Sequence, residues 1–310
     1  MTTWLHIGLH KTGSTTLQEE FFPRLRGLVY FGGKGTRLPP PAKEDMRRLI
    51  VALKAAGHRP DVVAGIIAFF RGRADAWNPQ CLSSLISEEG FSGTWPDSPF
   101  NRITVLPAVL RRILDGDARV VVVVREPLAL LVSMYEQRMA RLEMTYVRKV
   151  YGFDGIPTFD KFVALEHARL QQGAHDTVFG GTLRFDRVIG AYADVFGDDR
   201  VHVLPFEAMA SEPEQYCRAW CRLLGIPEQI VPLHRRNASG PGRRREILAR
   251  FGIEPTSPRG MAFEAQFADL PARLRDDPLL CSYAAQHCEP VRARAAATYA
   301  ALTGDCPSAT

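Results

Sequence analysis

Five successive valines, Val120 to Val124, follow Arg119, and no other feature constrains the fold as tightly. β-Branched side chains favour extended backbone. A run that is apolar at every position has no polar face to turn to water. It therefore fits a strand covered on both faces, as in a parallel sheet between helices. Three further runs have the length and punctuation of strands: Trp4 to Leu9, Cys81 to Ile86 and Val201 to Phe206. Between them, apolar residues recur at helical spacing over Asp45 to Ala56, Val62 to Phe70, Ile103 to Leu114, Pro127 to Met139, Phe159 to Gln171 and Arg184 to Phe196. Strands alternating with helices predict an α/β chain with a parallel sheet flanked by helices. Ligands of such sheets bind beyond the carboxyl ends of the strands, so the residues after each strand are where chemistry is expected.

The length sets a soft prior of about two domains and is also within reach of one large α/β domain. The chain has 310 residues, of which 46% are apolar and 24% charged, which excludes a disordered or fibrous class. The net charge of +5 suits an anionic ligand but is too small to argue for nucleic acid. No stretch approaches the roughly 18 consecutive apolar residues of a spanning helix. The opening MTTWLHIGLHK does not read as a secretory leader, so a cytoplasmic location is expected. The six cysteines form no C-x-x-C pair. Cys217 and Cys221 lie one helical turn apart and read as packing residues with reduced thiols. The three prolines Pro39 to Pro41, after Gly32 to Gly35, mark a loop.

The first predicted strand runs into Gly8-Leu9-His10-Lys11-Thr12-Gly13-Ser14-Thr15-Thr16. A strand, a loop with two spaced glycines and a Ser/Thr run opening a helix together direct backbone N–H groups at an anion. An ordinary nucleotide-hydrolysing loop carries lysine directly after its second glycine. Here that residue is Ser14, and the lysine sits earlier, at Lys11. After the valine strand comes Arg125-Glu126-Pro127, then Ser133 and Tyr135 about two helical turns on. A guanidinium and a hydroxyl so spaced can share one phosphate.

Together the two segments resemble the sulfotransferases that use 3′-phosphoadenosine 5′-phosphosulfate (PAPS). Lys11-Thr12-Gly13-Ser14-Thr15 is similar to that family's 5′-phosphosulfate loop, K-[ST]-G-[ST]-T. Arg125, Pro127, Ser133 and Tyr135 match its R-x-P-x-x-x-x-x-S-x-Y motif, which holds the 3′-phosphate. The resemblance runs from Leu5 to about Asn237. It implies a P-loop NTPase-like sulfotransferase fold, PAPS as co-substrate and no required metal. It makes Lys11 the residue that stabilises the leaving phosphate oxygen. Thr12, Gly13, Ser14, Thr15 and Thr16 become ligands of the phosphosulfate, and Arg125 and Ser133 ligands of the 3′-phosphate.

Ser87-Glu88-Glu89 follows the second predicted strand. Removal of a proton from an attacking hydroxyl calls for a base. The segment resembles the S-x-E of carbohydrate sulfotransferases, which favours Glu89 as that base and keeps Glu88 in reserve. Neighbouring side chains on extended backbone face opposite ways, so one of the two is expected to enter the site. His234 to Arg245 holds five arginines among small residues. In the family a late basic loop covers the 3′-phosphate and adenosine. Asn237 and Ser239 resemble an N-x-S of bacterial carbohydrate enzymes, and Arg236 and Arg243 are placed to pair with phosphate. His10 is the one histidine near this chemistry.

The expectation is a single sulfotransferase domain over 1–310, with a motif-bearing core in 1–240 and a helical C-terminal extension in 241–310 that includes a helix over Ala284 to Leu302. The expected reaction is sulfuryl transfer from PAPS to an acceptor hydroxyl, on a glycan or glycolipid, with release of 3′,5′-ADP in a bacterial-type enzyme. A small-molecule alcohol or phenol is the alternative acceptor. A P-loop-type kinase and a non-catalytic nucleotide-binding protein are the alternative functions. Ser14 argues against the first, and the paired carboxylates against the second.

Overall fold

The computed structural model describes residues 2–32, 82–92, 105–114, 116–141, 155–174, 177–234, 240–268 and 270–304, with positions 44, 48, 65, 68, 78 and 103 between them. Five strands form one parallel sheet: β1 (Thr3–Ile7), β2 (Leu28–Gly32), β3 (Ser83–Glu88), β4 (Ala118–Val124) and β5 (Val201–Pro205), in the order β2-β3-β1-β4-β5. The valine strand has the two covered faces that its composition demands. Val120, Val122 and Val124 enter one apolar cluster, with Leu5, Ile7 and Val203. Val121 and Val123 enter a second, with Trp4, Leu85 and Leu204. Burying each such valine is worth roughly 1.5–3 kcal/mol, so the run is a large part of what fixes the sheet.

The chain leaves β1 through a helical turn, α1 (Ser14–Thr16), that widens into a π-helical stretch at Leu17–Phe21. Then follow α2 (Leu106–Ile113), α3 (Pro127–Arg141), α4 (Phe159–Gln171), α5 (Phe185–Phe196), α6 (Phe206–Ser211) and α7 (Pro213–Leu224). The last five are α8 (Pro241–Arg250), α9 (Pro258–Ala265), α10 (Leu270–Arg275), α11 (Pro278–His287) and α12 (Glu289–Thr303). Tyr216 and Trp220 of α7 close the second cluster, and Tyr192 of α5 lies in the first. The C-terminal helices share the first cluster through Ile247, Phe263, Leu280 and Val291. Helix α12 covers the edge strand β5, where Arg294 donates to the Val201 carbonyl. Covering an exposed edge removes a template for pairing with other chains. No described helix is long and apolar enough to cross a membrane.

Several boundaries differ from the sequence reading. Strand β2 was not among the expected strands, although Val29, Tyr30 and Phe31 are good strand formers. Strand β3 begins at Ser83 rather than Cys81 and runs on to Glu88. Its start is set by Asn78, whose side chain donates to Leu82 O (2.6 Å) and accepts from Leu82 N (3.1 Å), holding a turn there. Its end is set by pairing, since Glu88 lies opposite Ile7 of β1. The expected helix over Ala284 to Leu302 is two helices separated at Cys288, because Pro290 in the first turn of α12 has no N–H to continue the ladder. The helices expected over Asp45 to Ala56 and Val62 to Phe70 lie outside the described residues apart from Arg48, Gly65 and Ala68, as do Pro39 to Pro41.

Candidate active site

From β1 the chain crosses to the β2 side of the sheet, and from β4 it crosses to the β5 side. Crossovers of opposite sense leave a crevice beyond the carboxyl ends of these adjacent strands. The two sequence motifs meet there. Arg125 donates from Nη1 to the backbone oxygen of Lys11 at 3.0 Å. The face of its guanidinium lies over the Phe206 ring, 4.7 Å from the centroid.

The loop after β1 is held by its own short-range contacts. Leu9 O accepts from Thr12 Oγ1 at 2.8 Å and from Ser14 Oγ at 3.4 Å. The Thr12 and Ser14 side chains are buried, and Lys11 and Thr15 are half-buried. Lys11 has φ of +62°, the only positive value at a non-glycine residue among those described. Left-handed backbone costs an ordinary residue roughly 1–2 kcal/mol, so surrounding contacts must hold it. Gly13 has φ of +80°, and a Cβ there would meet Met209 Cε at 2.5 Å and the Phe206 ring at 3.0 Å. The loop thus sits tightly on α6. His10 is buried beside it.

Glu89 approaches the same loop. A Cβ on Gly8 would lie 2.7 Å from Ser14 Oγ and 2.8 Å from Glu89 Cγ, so glycine is what lets the acidic segment pack onto the loop after β1. Glu88 is the last residue of β3, and Glu89 opens a 3-10 turn, Glu89–Ser92. Glu88 Oε1 accepts from Gly90 N at 3.3 Å. Ser92 Oγ donates to Glu89 O at 3.0 Å, and the buried Tyr192 hydroxyl donates to Phe91 O at 2.6 Å.

Beneath this turn, Ser87 joins three segments. Gln18 Nε2 donates to Ser87 Oγ at 3.0 Å, and His6 Nδ1 lies 2.6 Å from the same oxygen. Which of the two donates in the His6–Ser87 bond follows from the imidazole tautomer. Burial holds the His6 pKa down at about 3, so the ring is neutral.

Ser133 is buried within α3, and Tyr135 is buried with its hydroxyl donated to Pro157 O at 2.7 Å. Desolvation raises the Tyr135 pKa, so this hydroxyl keeps its proton. Glu126 accepts from Leu128 N at 2.9 Å and Ala129 N at 2.6 Å, satisfying orphan donors at the start of α3.

Arg236, Asn237 and Ser239 lie outside the described residues. The chain on either side of them is fastened by buried carboxylates. Glu20 accepts from His234 N at 2.8 Å, and Thr16 Oγ1 donates to His234 O at 3.4 Å. Glu136 accepts from Gly240 N at 3.1 Å and Arg244 Nε at 3.0 Å. Arg243 pairs with Glu246 at 2.7 Å.

Phe206, Met209 and Tyr192 were assigned no chemistry from the sequence. The rule that sites lie at carboxyl ends of strands, applied to Val201 to Phe206, points to Phe206. Tyr192 carries no local signal. Among the described residues, no group of His, Cys, Asp and Glu side chains is arranged to hold a metal ion.

An α/β sheet thus brings a glycine-containing loop, an arginine and a carboxylate to one crevice. Residues 97–246, just under half of the chain, match the sulfotransferase domain family. The matched segment contains Arg125, Ser133 and Phe206. It does not contain Lys11 or Glu89, whose reading rests on this chain's own residues and geometry. The chain is also similar to a sulfotransferase from Alicyclobacillus acidocaldarius, at 20% identity over 86% of this chain and 96% of that one, with a TM-score of 0.43. No curated protein matches it.

Proposed function

We propose that this protein moves the sulfuryl group of PAPS to an acceptor hydroxyl, on a carbohydrate or glycolipid, and releases 3′,5′-ADP. The observation that carries the reading is the Arg125–Lys11 hydrogen bond, which joins the two motifs in one crevice. The approach of Glu89 to Gly8 brings a carboxylate to the same place. In this reading Glu89 takes the acceptor proton, and Glu88 is the reserve base. Lys11 stabilises the oxygen released from sulfur. The backbone and hydroxyls of residues 12–16 bind the 5′-phosphosulfate. Arg125 and Ser133 select the 3′-phosphate, and Arg236, Asn237 and Ser239 add contacts from the late basic loop. The chain acts as one domain, with no metal required, in a bacterial cytoplasm.

The test is calorimetric titration of 3′,5′-ADP and of 5′-AMP without metal. At least about tenfold tighter binding of 3′,5′-ADP, a difference of about 1.4 kcal/mol, is expected. Equal affinities, or no binding of either, would remove the PAPS assignment.

A further inference from the structure

Lys11 holds a backbone conformation that a residue with a side chain avoids, with φ of +62°. It is also the residue whose side-chain direction matters most in the proposed reaction. Its carbonyl oxygen is the acceptor of the Arg125 Nη1 hydrogen bond. The Arg125 guanidinium is itself oriented by the Phe206 ring beneath it, and that ring packs against Gly13, two residues beyond Lys11. Phe206, Arg125, Lys11 and Gly13 therefore form a closed set of contacts. A guanidinium is planar and carries five N–H donors, so one edge can serve a peptide oxygen while another serves an oxyanion.

We propose that Arg125 is the positioning residue for Lys11, so that recognition of the donor's 3′-phosphate and placement of the leaving-group lysine run through one guanidinium. This rests on the PAPS reading above. An anion on the guanidinium fixes its plane, and the plane fixes the Lys11 peptide from which the ammonium projects. The 3′-phosphate then raises the saturated rate as well as the affinity, because binding energy far from the reacting bond is used to orient groups at it.

The probe is adenosine 5′-phosphosulfate, which has no 3′-phosphate for Arg125 to bind, with water as acceptor. The bond between sulfur and the 5′-phosphate oxygen breaks, and its electron pair stays on that oxygen. A water oxygen bonds to sulfur, and the proton it loses passes to Glu89 and then to solvent. An arginine that only binds 3′-phosphate leaves this rate untouched when it is removed. With the positioning role, Arg125→Ala lowers the saturated rate with this shorter donor about tenfold, the size expected for a misplaced catalytic group. Phe206→Leu, which keeps the charge and removes its platform, lowers it in the same direction by less. In nucleotide-free, full-length protein, Arg125→Ala also speeds amide hydrogen exchange over residues 9–14. An unchanged rate with adenosine 5′-phosphosulfate, or unchanged exchange in that loop, overturns the positioning role. If the parent fails to distinguish 3′,5′-ADP from 5′-AMP, the PAPS reading falls instead, and loop exchange still decides whether Arg125 holds Lys11.

Discussion

The loop after β1 and the acidic turn after β3 reach the same crevice and are held there by different means. The core of the loop is secured by neighbours a few residues away, Thr12 and Ser14 donating to Leu9 O, and Arg125 adds one bond to Lys11 O from across the chain. The turn is secured across the chain. Ser87 is bound by His6 and Gln18, and Phe91 O by Tyr192. Local contacts travel with the motif that contains them. Contacts across the chain exist only once the sheet and α5 are assembled. The loop after β1 is thus set in part by its own sequence, with Arg125 and α6 adding long-range contacts at Lys11 and Gly13, and the acidic turn depends on the whole fold.

The largest effect that sharpens this comparison comes from the carboxylates. Glu89→Gln lowers turnover by about a hundredfold or more while 3′,5′-ADP affinity stays at the parental value, as expected for loss of a general base. Glu88→Gln, at a side chain already engaged by Gly90 N, costs less than about tenfold on the same scale. Steady-state rates beside calorimetric affinities check both, and the reverse order would move the base to Glu88.

Next in size is the pH dependence of the polar cluster under the acidic turn. His6 is neutral when folded, with its pKa near 3, against an ordinary value of 6.5 in the unfolded chain. Below pH 6.5 the unfolded chain takes up a proton that the folded chain refuses. Stability is therefore complete above that pH and is lost as pH falls toward about 3, by about 1.4 kcal/mol per unit. Between pH 7 and 5 the loss amounts to about 2 kcal/mol in urea unfolding. His6→Asn flattens that slope without abolishing it, because burial lowers the His202 pKa as well. An unaltered slope in the variant would assign the acid sensitivity elsewhere.

What was legible in the sequence follows the same division. The valine run implied a doubly covered strand because five β-branched residues in succession have no other stable place, and β4 is that strand. Lys11 to Thr15 and Arg125 to Tyr135 were legible as motifs because each is a short continuous segment, a loop running into a helix. The segment Leu28–Gly32 was not, because a short apolar run beside glycines becomes a strand only when β3 pairs with it. Tyr192 carried no signal, and Phe206 only its place at a strand end, for a related reason. An aromatic residue in a helix pattern or at a strand end looks the same whether it fills a core or supports a site. Their partners, Phe91 and Arg125, are far away in sequence, and no spacing rule connects them.

Tyr192→Phe breaks the long-range side of the comparison with the loss of one oxygen. Phe91 O then loses its hydroxyl donor in a buried setting, at a cost of about 1–3 kcal/mol. The unfolding midpoint falls accordingly. Turnover falls with it because the turn carrying Glu89 is loosened, whereas 3′,5′-ADP affinity, which the proposed function assigns to the β1 loop and Arg125, is unchanged. A matching loss of nucleotide affinity would show that the two regions are not held independently.

The smallest effect tests the local side. Thr12→Val keeps the shape of a fully buried side chain and removes its donation to Leu9 O. Ser14 Oγ remains near that oxygen at 3.4 Å, so the acceptor is not left bare. The net cost is about 0.5–1.5 kcal/mol, the ordinary worth of one internal hydrogen bond. The consequence for ligand binding is the sharper part. If the Thr12 hydroxyl serves the loop, backbone N–H groups hold the phosphosulfate, and 3′,5′-ADP binds the variant as tightly as the parent. If the hydroxyl instead turns to the ligand, affinity falls by more than stability does. Calorimetry and thermal unfolding on the same variant separate a loop that is built before its ligand arrives from one that is completed by it.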